Sequence, residues 1–390
     1  MIREGIFWFG EKWCFDRIRK IKNHQKIMSR KKNIKVIDLF CWIGGITRWF
    51  IDENLNVVAG IDFEWSCKFG YEKNNKGAEF IHKDIREVTS DEIDWIYGDD
   101  CDLKILVGCA PCQPFSWMNT NKWDYFYDQD KANSRSPLDK FAHIIENTLP
   151  TIVSMENVAN LANEKKYPAF VHFLNVLRDN KYHVKFEVVN TSEYGIPQNR
   201  KRLVLLASRL GDISLIEPGL EKKVSVRDTI SSLPPMWIGE IHPSDPYHRT
   251  QDMSPLNKQR IRIIPKNGWT LAKSWHDHLI PDCHKKTSWK SYSCSVYARM
   301  KWDEPAPTLT TLCLGIWNGR YWHPEQDRAI SLREAALIQT FPMDYQFTED
   351  TKNYNLQKVT RYIGNAVPVK LGQVIAKSIK FHLASYGIIA

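Results

Sequence analysis

After residue 34 the chain alternates short β-branched runs with helix-length segments, a rhythm that few architectures other than a layered α/β sheet accommodate. The runs that read as strands are Lys35 to Leu39, Val57 to Asp62, Glu79 to Ile81, Lys104 to Gly108, Thr151 to Glu156, Val184 to Asn190 and Arg202 to Ser208. Between them, "YPAFVHFLNVLRDN" spaces Phe170, Phe173, Leu174 and Leu177 three and four apart, as an amphipathic helix does. The pattern predicts a doubly wound, mostly parallel α/β sheet. The last two runs lie too close together for a crossover helix, so they are expected to pair antiparallel at the sheet edge.

The rhythm stops near residue 211. From there to about 325 the chain is rich in Pro, Trp, His, Lys and Ser, as in "HPSDPYHR" and "WHDHLIPDCHKK", which predicts a second, irregular domain. Helical order returns at "SLREAALIQTF", opened by Ser331 with Glu334 three residues on, a capping-box spacing. A last helix is expected after "GNAVPV". At the other end, Arg17 to Lys35 holds nine Lys or Arg and no acid, so residues 1–33 read as a basic extension, with Met28 a candidate natural start. No run of 18 apolar residues and no secretion signal are present, and a cytoplasmic protein is expected. The nine cysteines then need not be bridged, and the net charge of +9 favours a polyanionic partner.

Three clusters carry candidate chemistry. In "ILVGCAPCQPF" a buried-type strand runs into a stiff turn holding Cys109 and Cys112, beyond a strand end where ligands gather in such sheets. A thiol there is a candidate nucleophile if its setting is cationic or polar. The C-x-x-C spacing also suits zinc or redox chemistry, but no second pair at ligand spacing exists, and no metal is expected. His276, His278, Cys283 and His284 are read in the same way as polar contacts or core. Glu156, at another strand end, belongs to the same rim, although a Glu-Asn pair there, taken alone, reads more readily as the cap of the next helix. Gln198, Arg200 and Arg202 alternate into a strand and are expected on one face, offering forked donors to phosphate or carboxylate. A charged edge strand would read the same.

In order along the chain, Phe40 with Gly44-Gly45, Pro111-Cys112-Gln113, Glu156-Asn157-Val158, Gln198-x-Arg200-x-Arg202, Arg333-Glu334-Ala335 with Gln339-x-Phe341-Pro342, and Gly364-Asn365-Ala366-Val367-Pro368 resemble the motifs of the DNA cytosine-5 methyltransferases. The resemblance covers residues 35–210 and 296–380. It implies a class I, Rossmann-like S-adenosylmethionine-dependent catalytic domain over 34–210 and 326–390, with a target-recognition domain over 211–325. It also implies that Cys112 adds to C6 of a flipped-out cytosine, Glu156 holds or protonates N3, and Arg200 and Arg202 contact the base, Glu156 or a phosphate.

For S-adenosylmethionine it implies Phe40 and Phe63 beside the adenine, Gly44 and Gly45 near the methionine part, and Asp62 at the ribose. Asp84 and Ile85 would meet the adenine edge, with Pro111 and Asn365 completing the site. Gln198, Arg299, Thr310 and Arg320 are expected at double-stranded DNA. A monomer, with a restriction endonuclease of the same system as a further partner, is the expected context. Two alternatives stand beside it: a tRNA-directed relative, whose Cys-Phe-Thr signature is absent, and a catalytically dead DNA-binding relative, which would not bind S-adenosylmethionine.

Tryptophan stands where the resemblance leads one to expect glycine at Trp42, Trp49, Trp117, Trp269, Trp289, Trp317 and Trp322, in a chain with 15 Trp against 19 Gly. One cause accounts for such replacements: a codon such as UGA, read as glycine in the source and rendered here as tryptophan. On this reading the turn is "DLFCGIGGITRGF", and Trp275 and Trp302 are true tryptophans.

Overall fold

Seven apolar runs form one sheet in the computed structural model, which describes residues 32–111, 136–219, 222–268, 277–279, 297–315 and 319–389. The strands are β1 (Ile34–Leu39), β2 (Asn56–Asp62), β3 (Glu79–His82), β4 (Leu103–Gly108), β5 (Ile152–Val158), β6 (His183–Asn190), a two-residue β7 (Gln198–Asn199) outside the main sheet, and β8 (Lys201–Ser208). Their order across the sheet is β3-β2-β1-β4-β5-β8-β6. The first five pair in parallel, and β8 runs antiparallel between β5 and β6. The expected antiparallel pair therefore forms, with β6 as the edge and β8 inserted against β5.

Both faces of the sheet are covered, so its strands are nearly continuously apolar and alternate residues feed opposite cores. Ile37 of β1 packs into one core with Leu106, Val153 and the inward faces of α3 (Ser90–Tyr97), α4 (Pro137–Thr148) and α5 (Pro168–Asp179). Its neighbour Val36 packs into the other core with Ile105, Ile152 and the buried Ile46 and Phe50 of α1 (Gly45–Asp52). The short α2 (Lys68–Asn74) adds Tyr71 to that side. Helix α4 starts where its sequence says it should: Ser136 and Asp139 form a reciprocal cap, with Pro137 in the first turn, where its missing N–H costs nothing.

The irregular stretch holds α6 (Val226–Ile230), the paired strands β9 (Ile241–His242) and β10 (Asp245–Arg249), α7 (Pro255–Ile263) and β11 (Ala306–Pro307). It has a small core of Met253, Ile261, Ile264, Tyr297, Trp322 and Ala329. Met300, Ala306, Leu309 and Leu314 instead join the larger core, and β11 pairs in parallel with β7. The chain then returns through α8 (Leu332–Ile338), α9 (Leu356–Asn365) and α10 (Val369–Ser385). The Ser331–Glu334 capping box is present at α8. Among the described residues no helix is long and apolar enough to cross a membrane.

Candidate active site

Parallel pairing brings the carboxyl ends of β1, β2, β4 and β5 to one rim, at the place where strand order reverses about β1 and β4. The β1–α1 turn crosses this rim. Its path is tight: Cys41 N–H donates to Ile61 O at 3.2 Å, and Gly44 takes φ +82°, a left-handed conformation that glycine adopts at little cost. Phe40 and Trp42 share that region at φ 60° and 51°. Asp62 ends β2 and braces the turn, accepting the Trp42 N–H at 2.9 Å on one oxygen and the Glu64 N–H at 2.9 Å on the other. The Phe63 ring beside it is 61% exposed.

Of the other residues expected at a cofactor, Asp84 is forked by Arg86 and accepts the Arg86 N–H, while Ile85 is buried in the core. Gly45 opens α1. Pro111 is exposed at the end of the described loop, and Asn365 is exposed at the end of α9. Beneath the turn lies a carboxyl that the motif reading did not single out. Asp38 is buried and accepts the Thr47 hydroxyl at 2.6 Å, and its other oxygen has no partner among the described residues. Burial pushes Asp38 up to about 7, with the Thr47 hydrogen bond opposing and Asp62 adding to the rise. Burial likewise raises Asp62, against the N–H groups of Glu64 and Trp42.

Glu156 lies within β5 and is buried, facing the loop that follows β4. Its Oε2 accepts the Cys109 thiol at 3.0 Å, and Arg202 Nε sits 2.9 Å from Oε1, an ion pair without an in-line hydrogen bond. The antiparallel register explains the meeting: Val158 of β5 lies opposite Arg202 of β8, so the arginine enters at the carboxyl end of β5. Asn157 ties the loop to β5 by donating Nδ2 to Ala110 O at 3.0 Å. Cys112 falls just outside the described residues.

Other expectations separate here. Of the three residues expected on one face, Gln198 and Arg200 stay together, Arg200 donating to Gln198 Oε1 at 3.5 Å, while Arg202, beyond the break in pairing between β7 and β8, turns to Glu156. Gln198, expected at DNA, is fully buried; it donates to Gln339 Oε1 and accepts the Leu309 N–H, so here it braces the core. Arg200 is also buried, donating to Leu309 O at 2.8 Å, and does not join Glu156. Arg299 was expected at DNA, yet its guanidinium is enclosed, donating to Ile261 O, His323 O and Gln326 O and pairing with Asp327 at 2.6 Å. Alternating charge in sequence shows neither burial nor carbonyl partners, which come from distant segments. Thr310 is half-buried and Arg320 exposed.

Two partners had no sequence signal. Arg328 forks Glu334 with both contacts at 2.7 Å, and Asp245 takes Arg333 at 2.6 Å. Burial would raise Glu334, but Arg328 outweighs it and brings the carboxyl down to about 2. His323, nearby and desolvated, falls to about 4.

The tryptophans differ in setting. Trp42 donates its indole N–H to Tyr362 O at 2.9 Å, sets its ring edge-on to Tyr362 and carries Arg361 over its face. Trp49 and Trp322 each bury an indole N–H with no partner among the described residues, and Trp322 is fully enclosed. Trp302 is half-buried against His323 and Arg227. Trp117, Trp269, Trp275, Trp289, Trp317, His276, Cys283 and His284 lie outside the described residues.

A model of the family described as C-5 cytosine-specific DNA methylase matches residues 34–381. The chain is 46% identical over 348 residues to the Type II methylase M.HgiDII of Herpetosiphon aurantiacus, covering 88% of this chain and 94% of that one. It is 27% identical to the Type II methyltransferase M1.BsuMI of Bacillus subtilis, covering 94% and 84%. Among solved structures, the methyltransferase EhMeth of Entamoeba histolytica superposes with a TM-score of 0.61 at 16% identity, over 90% of this chain and 99% of that one, which speaks for the fold.

Proposed function

The chain belongs to the C-5 cytosine-specific DNA methylase family, and from that premise we propose that it methylates C5 of one cytosine within a specific duplex sequence, using Cys112 as nucleophile and Glu156 as the acid at the base. The observation that carries this reading is the buried Glu156 of β5, held between Arg202 of β8 and the thiol of Cys109, which lies on the loop that leads directly to Cys112.

C5 of cytosine is a weak nucleophile, so the ring is activated by addition. The Cys112 thiolate forms a bond to C6, and Glu156 gives or shares a proton at N3, which takes up the charge pushed into the ring. Once C5 has accepted a methyl group, loss of the C5 proton expels Cys112 and restores the aromatic ring. Arg202, 2.9 Å from Oε1, pairs with the Glu156 carboxyl and keeps a cation at the developing charge. A stacked base cannot reach these groups, so the cytosine is flipped out, at a cost of a few kcal/mol.

The residues at the rim fit S-adenosylmethionine. Asp62 spends one backbone N–H on each oxygen and keeps lone pairs for ribose hydroxyls, beside the exposed Phe63 ring and the left-handed Gly44 turn. When bound, S-adenosylmethionine supplies an electrophilic methyl. Phe40, Gly45, Asp84, Ile85, Pro111 and Asn365 complete the assigned site. The region 211–325 is assigned to target recognition, with Thr310 and Arg320 as DNA contacts and catalysis assigned to 34–210 and 326–390.

The test is methyl transfer from labelled S-adenosylmethionine to duplex DNA, with bisulfite sequencing to locate the product. Cys112→Ser is expected to abolish transfer while retaining cofactor binding. Full transfer by that variant, or methylation of tRNA in place of duplex DNA, overturns the assignment.

A further inference from the structure

The loop after β4 carries a second thiol that the proposed chemistry does not use. Cys109 is fixed from both sides: its N–H donates to Leu39 O at 3.3 Å, and the next carbonyl, of Ala110, accepts Asn157 Nδ2 at 3.0 Å. The parallel register places Gly108 opposite Met155, so Cys109 stands across from Glu156. Its Sγ lies 3.0 Å from Glu156 Oε2. Among the described residues this thiol makes the carboxylate's in-line hydrogen bond, because Arg202 approaches Oε1 off axis and Oε1 is otherwise unpartnered.

We infer that Cys109 is a positioning residue for Glu156, anchoring Oε2 and so fixing the direction in which the carboxyl meets the base. The inference rests on the reading of Glu156 as the group at cytosine N3. The chemistry favours a donor at this place. A donor aimed at one carboxylate oxygen fixes its direction, whereas no donor leaves the rotamer loose. The thiol supplies that donor from a loop tied to β5.

The test uses the full chain with Cys109→Ala and Cys109→Ser, measuring kcat and the DNA KM, together with the S-adenosylmethionine Kd and thermal unfolding. Cys109→Ala is expected to lower kcat about tenfold or more, as loss of alignment at a reacting group does, with DNA KM and cofactor Kd little changed. Cys109→Ser, which keeps a donor at this place, should recover most of the kcat that Cys109→Ala loses. A merely structural role would lower the unfolding temperature and kcat in both variants alike, without rescue by serine, which overturns the inference. So does a Cys109→Ala enzyme with the wild-type kcat. A wild type that binds S-adenosylmethionine and methylates no DNA cytosine overturns the assigned function itself, a result distinct from either failure of Cys109.

Discussion

Replacing Trp42 with glycine is expected to move stability and cofactor affinity in opposite directions. Trp42 sits at φ 51°, and left-handed backbone costs a residue with a side chain roughly 1–2 kcal/mol. Glycine removes that cost. Against it stand the indole hydrogen bond to Tyr362 O at 2.9 Å, worth about 1 kcal/mol, and the edge-on ring pair at 5.6 Å, worth about the same. Arg361 stacked at 5.7 Å adds roughly 0.5–1 kcal/mol. Glycine also gives the unfolded chain more freedom, by roughly 0.5–1 kcal/mol. The balance is a net loss of about 1–2 kcal/mol, read as a fall of a few degrees in Tm.

The same indole contacts tie the β1–α1 turn to α9, the helix that ends at Asn365. A ligand entering between turn and helix must break them. Releasing about 1.4 kcal/mol corresponds to a factor of about ten in affinity. Isothermal titration of Trp42→Gly with S-adenosylmethionine, paired with thermal unfolding, is therefore expected to show tighter binding in a less stable protein. Unchanged or weaker binding would refute the argument and leave tryptophan as the fitting residue at position 42.

Asp38 should make the protein pH-sensitive near neutrality. A buried carboxyl raised from 3.8 to about 7 holds its proton only in the folded state between those values, so stability falls as pH rises through that window, by on the order of 4 kcal/mol in full. Asp38→Asn should flatten that slope in denaturant titrations at several pH values; an unaltered slope would count against it. Glu334 acts with the opposite sign: held down to about 2 by Arg328, it contributes stability above pH 4.5 that disappears toward pH 2. Glu334→Gln, which leaves Arg328 buried without its counter-charge, should cost about 3–5 kcal/mol at pH 7, as read from urea midpoints. Gly364→Ala should also destabilise, because a Cβ there would lie 2.3 Å from Thr310 O, which is backbone and cannot swing aside; an unshifted Tm would contradict this. For Arg299→Met we expect lost stability without a changed salt slope of DNA binding, since the guanidinium meets carbonyls and Asp327 and not phosphate.

The residues by themselves determined the sheet, because strand and helix periods are local. The predicted run Val184 to Asn190 became His183–Asn190, and Ser331 with Glu334 announced the start of α8. The order of motifs likewise placed Glu156, Asp62 and the glycine turn at strand ends, and so on one rim once the strands ran parallel. What the sequence left open was which charges are enclosed. Arg299 and Arg320 look alike in sequence, yet the first is sealed among carbonyls from 261, 323 and 326 while the second is exposed. Arg200 and Arg202 differ by two positions and by a break in strand pairing, and only Arg202 reaches Glu156. Cys109 read as half of a C-x-x-C until the β4–β5 register set it against Glu156. Periodicity is a property of neighbours along the chain; desolvation and hydrogen-bond partnership depend on segments far apart in sequence, and only packing brings those together.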